Sequence, residues 1–195
     1  MRPLSRLVVA SQNPDKIAEV ESVLDDLALG IEIVCGLSWP EIEETEPTLE
    51  GNALLKARTV LGHTGIASLA DDTGLEVAAL EGRPGVHTAR FAGEDATYAD
   101  NVAKMLADLE GVDDRSASFR TVVALVTPDG EEFTVEGVLD GVISTEQRGT
   151  GGFGYDPVFL VGDRTLAEMP TSAKNQLSHR ARALHALGAH LAARS

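Results

Sequence analysis

Residues 7–16 read LVVASQNPDK, an apolar run that gives way abruptly to a polar loop. Four consecutive apolar residues predict a short buried strand. Asn13 is a preferred residue at the N-cap of a helix, and Pro14 suits the first helical position. Apolar residues then recur at helical spacing as far as Leu27. The chain is therefore predicted to open with a strand, a loop and a helix.

The rest of the chain alternates between strand and helix patterns. Pro128-Asp129-Gly130 separates two apolar runs and predicts a hairpin, whose strands must pair antiparallel. Alternating strands and helices with one hairpin predict an α/β fold with a mixed sheet and flanking helices. Strands are predicted at 31–34, 66–70, 119–126, 132–138 and 158–161. Helices are predicted to start near Thr48, Thr97 and Ser178, with Gly62 ending the first of these and Leu177 on the apolar face of the last.

Length and composition predict one soluble domain spanning residues 1–195, or two lobes that share a core. The formal net charge of −15 opposes binding to nucleic acid or to an anionic membrane, since both are polyanions. Cys35 is the only cysteine, so no intramolecular disulfide is expected and a reducing compartment is the default. The apolar run at 7–10 is too short for a signal peptide, and no run could span a bilayer. A cytoplasmic protein is expected.

The polar loop before the first helix is a candidate phosphate site. Lys16 falls in the first helical turn, where a positive charge opposes the helix dipole, and a bound anion would relieve this conflict. The spacing of a Walker A loop is absent. A plain capped helix with a solvated lysine is the alternative. The candidate residues are Ser11, Gln12, Asn13, Pro14, Asp15 and Lys16.

Two acidic segments form a candidate metal site. Glu43 and Glu44 lie in an irregular acidic stretch, and Asp71 and Asp72 follow a predicted strand. Mg²⁺ takes one or two protein carboxylates and fills its other positions with water and substrate phosphates. Neighbouring residues in extended backbone point to opposite faces, so one of the two aspartates is expected to face the site. A solvated acidic surface is the alternative.

A glycine-rich loop at 149–156 and the C-terminal segment complete the candidate site. Phe153 and Tyr155 offer rings on which a base could stack, the alternative being aromatics packed on the core. From Lys174 to Ser195 there is no acidic residue, and His179 and Arg180 fall in the first turn of the last helix. A basic helix that balances an acidic body is the alternative reading. Two cationic sites, one acidic site and one aromatic surface together indicate a magnesium-bound nucleoside triphosphate.

These segments resemble the inosine triphosphate pyrophosphatase family, the Ham1/RdgB-type non-canonical purine nucleoside triphosphate pyrophosphatases. The resemblance runs from Val8 to about Leu187 and has three longest motifs. They are Ser11-Gln12-Asn13-Pro14-Asp15-Lys16, Ala70-Asp71-Asp72-Thr73-Gly74-Leu75 and Gly151-Gly152-Phe153-Gly154-Tyr155-Asp156-Pro157. Shorter matches are Glu43-Glu44-Thr45, Asn52-Ala53, Lys56-Ala57, Pro84-Gly85, Ala89-Arg90, Gly93-Glu94 and Ser178-His179-Arg180.

The resemblance implies hydrolysis of ITP, dITP and XTP to the monophosphate and pyrophosphate. It also implies a Mg²⁺ requirement, a homodimer, and an elongated ITPase-like α/β fold with a cleft between two lobes. By the same resemblance, phosphate is bound by the 11–16 loop, Lys56 and Thr73. Mg²⁺ is bound by Glu44 and Asp72, and Asp72 also accepts a proton. The base is enclosed by Phe153, Gly154, Tyr155 and Asp156, with Lys174, His179 and Arg180 at or near it.

Three other readings of the residues stay open. A Maf-type nucleotide pyrophosphatase would prefer pyrimidine or modified nucleotides. A regulatory module would bind nucleotide without turnover. An acidic structural protein would show no stabilisation by nucleotide.

Overall fold

The computed structural model describes residues 4–28 and 30–193, so Arg194 of the basic C-terminal segment lies outside the described residues. The helices are α1 (Pro14–Asp26), α2 (Leu49–Thr64), α3 (Tyr98–Asp108), α4 (Thr171–Leu177) and α5 (His179–Ala192). The strands are β1 (Arg6–Val9), β2 (Glu32–Ile33), β3 (Ser68–Val77), β4 (Pro84–Gly85), β5 (Ser116–Val126), β6 (Glu132–Ile143), β7 (Phe159–Val161) and β8 (Arg164–Thr165).

The strands form a mixed sheet. Their order is β2-β1-β3-β5-β6-β7-β8, and β4 pairs with β3 away from this path. β1 runs parallel to β2 and to β3, whereas β3 with β4, β6 with β7 and β7 with β8 are antiparallel. The predicted α/β fold with a mixed sheet and flanking helices is confirmed.

The chain divides into two compact units. The first unit comprises Met1–Asp72, Thr121–Gly137 and His179–Ser195, and the second comprises Thr73–Arg120 and Val138–Ser178. β3, β5 and β6 each contribute residues to both units. The prediction of one domain over residues 1–195 stays a prediction.

Each unit has its own hydrophobic core. In the first unit, α1 and α5 bury Val20, Leu184 and Leu187 against Leu69 of β3 and Val123 of β5. A Cβ on Gly137 would overlap the carbonyl oxygen of His179 and lie 2.5 Å from the Ala183 amide nitrogen. Only glycine therefore lets the first turn of α5 approach β6 this closely.

The core of the second unit gathers α3 and the glycine-rich loop. Met105 of α3, Leu75 of β3, Tyr155 and Phe159 are buried together. The rings of Phe119 and Phe159 lie 4.6 Å apart between centroids, within the range of favourable aromatic pairs. This core therefore holds the glycine-rich loop, which follows β6, against α3 and β3.

Several local predictions are confirmed. The side chain of Asn13 accepts hydrogen bonds from the backbone of Asp15 and Lys16, with Pro14 in the first turn. Thr48 caps α2, and Thr97 forms a capping box with Asp100 at the start of α3. The hairpin between β5 and β6 closes through the Glu131 carbonyl, which accepts from the Thr127 amide at 3.0 Å.

Several local predictions are wrong, among them the strand predicted at 132–138, which continues to Ile143. The second helix continues past Gly62 and ends at Gly65, which adopts the left-handed conformation at φ 65°. Leu177 belongs to α4, because a break at Ser178 separates α4 from α5. The strand predicted at 66–70 continues to Val77, because Asp71 and Asp72 are buried with partners and their charge does not end the strand.

Candidate active site

The loop after β1 is organised by Asn13. Its Oδ1 accepts from the Asp15 amide at 3.0 Å and from the Lys16 amide at 3.4 Å, and Ser11 Oγ accepts from the Asn13 amide at 3.2 Å. Pro14 has no amide proton, and the Ile17 amide donates to the Asn13 carbonyl. The first-turn donors that the sequence assigned to phosphate therefore already have partners. The Lys16 ammonium is the cation that this loop contributes.

Glu44, Lys56 and Asp72 meet at one point in the first unit. Lys56 Nζ lies 2.7 Å from Glu44 Oε1 and 3.0 Å from Asp72 Oδ1. Lys56 and Asp72 are buried, whereas Glu44 is partly exposed. The acidic stretch and the aspartate pair are thus brought together, as predicted. Glu43, the neighbouring acid, is exposed.

A buried asparagine holds the other oxygen of Asp72. Asn52 Nδ2 donates to Asp72 Oδ2 at 3.2 Å, and Asn52 Oδ1 accepts from the Glu46 amide at 2.9 Å. The motif Asn52-Ala53 was recognised in the sequence, but no role was assigned to the asparagine. Its position four residues before Lys56, on one face of α2, is the signal that could have suggested it.

Asp71 and Arg180 form a second, fully buried charge cluster. Arg180 Nε donates to Asp71 Oδ2 at 3.1 Å, its Nη2 also lies 3.1 Å from that oxygen, and its Nη1 pairs with Glu19. Lys16 Nζ lies 3.5 Å from the same Asp71 oxygen. All three guanidinium nitrogens of Arg180 therefore face carboxylates. A contact between Arg180 and a base stays a prediction, and it would require exchange of one of these partners.

The surroundings shift the pKa values of the two aspartates in opposite directions. Burial raises the pKa of Asp71, but the positive charges of Lys16, Arg180 and Lys56 outweigh it and hold that pKa well below its usual range. Burial raises the pKa of Asp72, Lys56 opposes the rise, Glu44 adds to it, and the pKa ends above its usual value. Asp71 is thus a fixed charge, whereas Asp72 is the stronger proton acceptor.

The pKa of Lys56 is also shifted by its surroundings. Burial lowers it, yet the negative charges of Asp72, Glu44 and Asp71 overcome that effect and raise it. Lys56 is therefore charged, and its ammonium is the cation that the two carboxylates share. This geometry fits a hard cation, because Glu44 and Asp72 already converge on a single positive group.

The donor set also suits Mg²⁺ chemically, since this ion needs only one or two protein carboxylates. Among residues 4–28 and 30–193, no group of three or more histidine, cysteine or acidic side chains is arranged to hold a metal. Glu44 and Asp72, which approach the same ammonium, are the residues that could hold such an ion, with substrate and water completing its coordination.

His179 is placed at the start of α5 in the first unit. It is buried, and its Nδ1 lies 2.5 Å from the hydroxyl oxygen of Thr121 on β5. Arg180 follows it in the same helical turn, as predicted. The predicted role of His179 near the base stays a prediction.

The second unit brings together Phe153, Asp156 and Lys174. Asp156 Oδ2 accepts from the Phe153 amide at 2.9 Å and from Lys174 Nζ at 2.8 Å. Lys174 Nζ also lies 5.4 Å from the centre of the Phe153 ring, and the Tyr98 ring lies 6.0 Å from it. Phe153 is thus a half-buried ring with a cation beside it. This is a geometry suited to stacking.

Tyr155 has a different environment from Phe153. Its ring belongs to the hydrophobic core, and its hydroxyl donates to the Thr88 carbonyl at 3.1 Å. The core-packing alternative therefore describes Tyr155. The preceding Gly154 has φ 61° and carries the sharp turn between the two aromatics.

The sequence-predicted residues fall into two groups. Lys16, Lys56, Asp72, Glu44 and the 11–16 loop are in the first unit with His179 and Arg180, whereas Thr73 and residues 153–156 are in the second with Lys174. Gln12, Pro14 and Asp15 are exposed, and Thr73 is half-buried directly after Asp72. Sequence reasoning missed Asn52 and Glu19, and it assigned no partner to Asp71.

Fold and site define an α/β protein in which one buried and one partly exposed carboxylate are directed at one cation. The sequence model of the Ham1 family matches residues 7–190, and the chain belongs to this family. The resemblance stated from the motifs is confirmed.

Curated relatives match along nearly their whole length. A dITP/XTP pyrophosphatase of Geobacter sulfurreducens is 47% identical over 193 residues, covering 96% of this chain and 97% of the relative. A dITP/XTP pyrophosphatase of Bacillus licheniformis is 45% identical over 193 residues, covering 96% and 98%. The chain is similar to these proteins from end to end.

Solved structures share the fold. A HAM1 protein from Coxiella burnetii superposes with a TM-score of 0.86 at 44% identity, over 97% of this chain and 99% of that one. The Staphylococcus aureus Ham1 protein gives a TM-score of 0.86 at 36% identity, over 98% and 100%. Within the described part of this chain, no helix combines the length and apolar character that a membrane crossing requires.

Proposed function

We propose that this chain hydrolyses the non-canonical purine nucleoside triphosphates dITP, XTP and ITP to the monophosphate and pyrophosphate. Membership of the Ham1 family and the names of the curated relatives support this reaction. We further propose that the reaction requires Mg²⁺, that it removes damaged purines from the nucleotide pool, and that the protein acts in the cytoplasm as a homodimer.

One observation carries the proposal. Glu44 Oε1 and Asp72 Oδ1 approach the same ammonium at 2.7 and 3.0 Å. The ion pairs of this region join four carboxylates to three cations: Glu19, Glu44, Asp71 and Asp72 pair with Lys16, Lys56 and Arg180. The carboxylates thus already balance the positive charge that these cations could offer a triphosphate. An incoming triphosphate would need an additional cation. Bound Mg²⁺ would supply that charge and polarise the phosphate oxygens.

The residues of the chain have distinct parts in the proposed reaction. A water oxygen bonds to the α-phosphorus, the bond from this phosphorus to the bridging oxygen breaks, and pyrophosphate leaves with the electron pair. Lys16, whose side chain is 22% exposed, and Lys56 would offset the charge that builds on the leaving group. Asp72 would orient the water and accept its proton.

Base recognition is proposed to involve the second unit. Phe153 offers a half-buried ring face, and Asp156 holds Lys174 beside it. A donor placed for the 6-keto oxygen of hypoxanthine or xanthine would meet the amino group of adenine. Mispairing of this kind costs about 1–3 kcal/mol for each buried group.

The test is a pyrophosphate-release assay with dITP, XTP, ITP, GTP, ATP and a pyrimidine triphosphate, with and without Mg²⁺. We expect release from the first three substrates that depends on Mg²⁺. Orthophosphate as the product would contradict cleavage at the α-phosphorus. Equal kcat/KM for ATP and dITP would contradict the proposed selectivity, and a preference for the pyrimidine would favour the Maf-type reading.

A further inference from the structure

Asn52 is a buried amide whose two ends are committed to different partners. Asn52 lies in the first turn of α2 and is only 2% exposed. The Glu46 amide can only donate and the Asp72 carboxylate accepts, so the side-chain amide has one orientation. Oδ1 faces Glu46 at 2.9 Å and Nδ2 faces Asp72 at 3.2 Å.

The bond to Asp72 fixes the rotation of its carboxylate. Oδ2 is held by Asn52, which leaves Oδ1 directed toward Lys56 Nζ at 3.0 Å. That ammonium marks the point on which Glu44 also converges. Without the Asn52 donor, rotation about the bond from Cβ to the carboxyl carbon would no longer be restrained from this side.

The bond to Glu46 fixes the acidic loop, residues 41–47. Glu44 lies two residues before Glu46, so the anchored amide limits how far the Glu44 carboxylate can move. The loop is also close to α2, because a Cβ on Gly51 would lie 2.7 Å from Glu46 Cβ. One side chain therefore restrains both members of the carboxylate pair.

We propose that Asn52 is a positioning residue that sets the spacing between Glu44 and Asp72 and thereby the affinity of this pair for a divalent cation. The inference rests on the proposed function. Asn52 contacts Asp72 and the backbone of Glu46, so it acts through the two carboxylates. Partners of this kind affect metal affinity about 10- to 100-fold.

The chain offers a matched control in Asn101. This asparagine of α3 is also 2% exposed, its Oδ1 accepts from the Ala92 amide at 2.8 Å, and its Nδ2 donates to the Ala89 carbonyl at 2.8 Å. Asn52→Ala and Asn101→Ala thus remove the same groups and the same number of hydrogen bonds. Only the first change involves a carboxylate of the candidate site.

Three measurements test the inference. Hydrogen exchange of the Glu46 amide and Mn²⁺ binding by electron paramagnetic resonance are measured on the free protein. The Mg²⁺ concentration for half-maximal pyrophosphate release from dITP is measured during turnover. For Asn52→Ala we expect faster exchange of the Glu46 amide. The two metal constants, namely the Mn²⁺ dissociation constant and the Mg²⁺ concentration for half-maximal release, should each rise about tenfold or more. We also expect kcat to be largely restored at saturating Mg²⁺.

Asn101→Ala should lose comparable stability and leave both metal constants unchanged. Unaltered metal constants in Asn52→Ala, an equal shift in Asn101→Ala, or a wild-type chain that binds no Mn²⁺ would overturn the inference. If Asn52→Ala does not fold, Asn52→Leu is used, because leucine has no group that can hydrogen-bond either partner and leaves a smaller cavity than alanine. A wild-type chain without pyrophosphate release contradicts the proposed function alone, since exchange and Mn²⁺ binding need no turnover.

Discussion

Asp71 and Asp72 are consecutive residues of β3, yet their carboxylates contact different cations at their closest approach. Asp71 Oδ2 lies 3.1 Å from Arg180 and 3.5 Å from Lys16, whereas Asp72 Oδ1 lies 3.0 Å from Lys56. Alternation along a strand sends neighbouring side chains to opposite faces. The two aspartates should therefore respond differently to the same chemical change.

Asp72→Asn should chiefly reduce turnover. The amide keeps the shape of the side chain but cannot accept the proton, and loss of a general base costs about 10²–10⁴-fold in kcat. The measurement is kcat for dITP at saturating Mg²⁺, with folding checked by thermal melting. A loss below tenfold would show that Asp72 serves mainly as a ligand and not as the base.

Asp71→Asn should chiefly reduce stability. Removing this charge leaves the buried Arg180 with Glu19 as its remaining carboxylate partner, and breaking a buried ion pair costs about 3–5 kcal/mol. Urea denaturation of wild type and variant gives the difference in the free energy of unfolding. A change below 1 kcal/mol would mean that the surrounding groups compensate for the lost charge.

Tyr155 should make the protein sensitive to alkaline pH. Burial raises the pKa of its hydroxyl well above the usual range, so the unfolded chain ionises first. The resulting stability is complete below about pH 10 and is lost as pH rises toward the folded-state pKa. Tyr155→Phe should flatten this decline, although at pH 7 it loses the bond to Thr88.

The control for Tyr155 is the exposed Tyr98, the only other tyrosine of the chain. The free energy of unfolding is measured between pH 8 and pH 11 for wild type, Tyr155→Phe and Tyr98→Phe. Identical slopes for the two variants would contradict the assignment of the alkaline effect to Tyr155.

Arg115 should stabilise the second unit through carbonyl contacts. Its guanidinium donates to the carbonyls of Leu109 at 2.6 Å, Ile143 at 2.7 Å and Ser144 at 2.6 Å, which joins the end of α3 to β6. Lysine cannot reproduce this planar arrangement, and each buried acceptor left without a donor costs about 1–3 kcal/mol.

We therefore expect Arg115→Lys to lower the free energy of unfolding by about 2 kcal/mol or more. Arg58→Lys is the control, because the exposed Arg58 pairs with the exposed Glu132 and such pairs contribute about 0–1 kcal/mol. Equal losses in the two variants would rule out a special role for the carbonyl contacts.

Ser68 should be replaceable by alanine without loss of stability. Its hydroxyl is fully buried in β3 and has no hydrogen-bond partner among the described residues. An unsatisfied buried hydroxyl costs about 1–3 kcal/mol, so Ser68→Ala should be neutral or stabilising in thermal melting. Thr165→Val is the comparison, since the equally buried Thr165 hydroxyl donates to the Arg148 carbonyl at 2.7 Å and its loss should destabilise.

Local rules predicted much of the fold from the sequence. Asn13, Thr48 and Thr97 cap their helices because a side-chain oxygen within three residues satisfies amides that the helix leaves open. The family motifs identified Glu44, Lys56 and Asp72, and in the structure the carboxylates of Glu44 and Asp72 lie within 3.0 Å of Lys56 Nζ.

Long-range partners account for what the sequence did not predict. The motifs predict Arg180 at or near a base, but Glu19 and Asp71, 161 and 109 positions away, already pair with it. Asn52 was overlooked for the same reason, because Asp72 lies 20 positions further on. The separation of two such residues along the sequence does not indicate the distance between them, because folding of the sheet brings them together.

Gly137 has a consequence for the buried arginine. Where the first turn of α5 lies against β6, a hydrogen atom is the largest substituent that position 137 accommodates. Any methyl group there must displace the helix start that carries His179 and Arg180. The absence of a side chain at position 137 thus sets how deeply the guanidinium of Arg180 is buried.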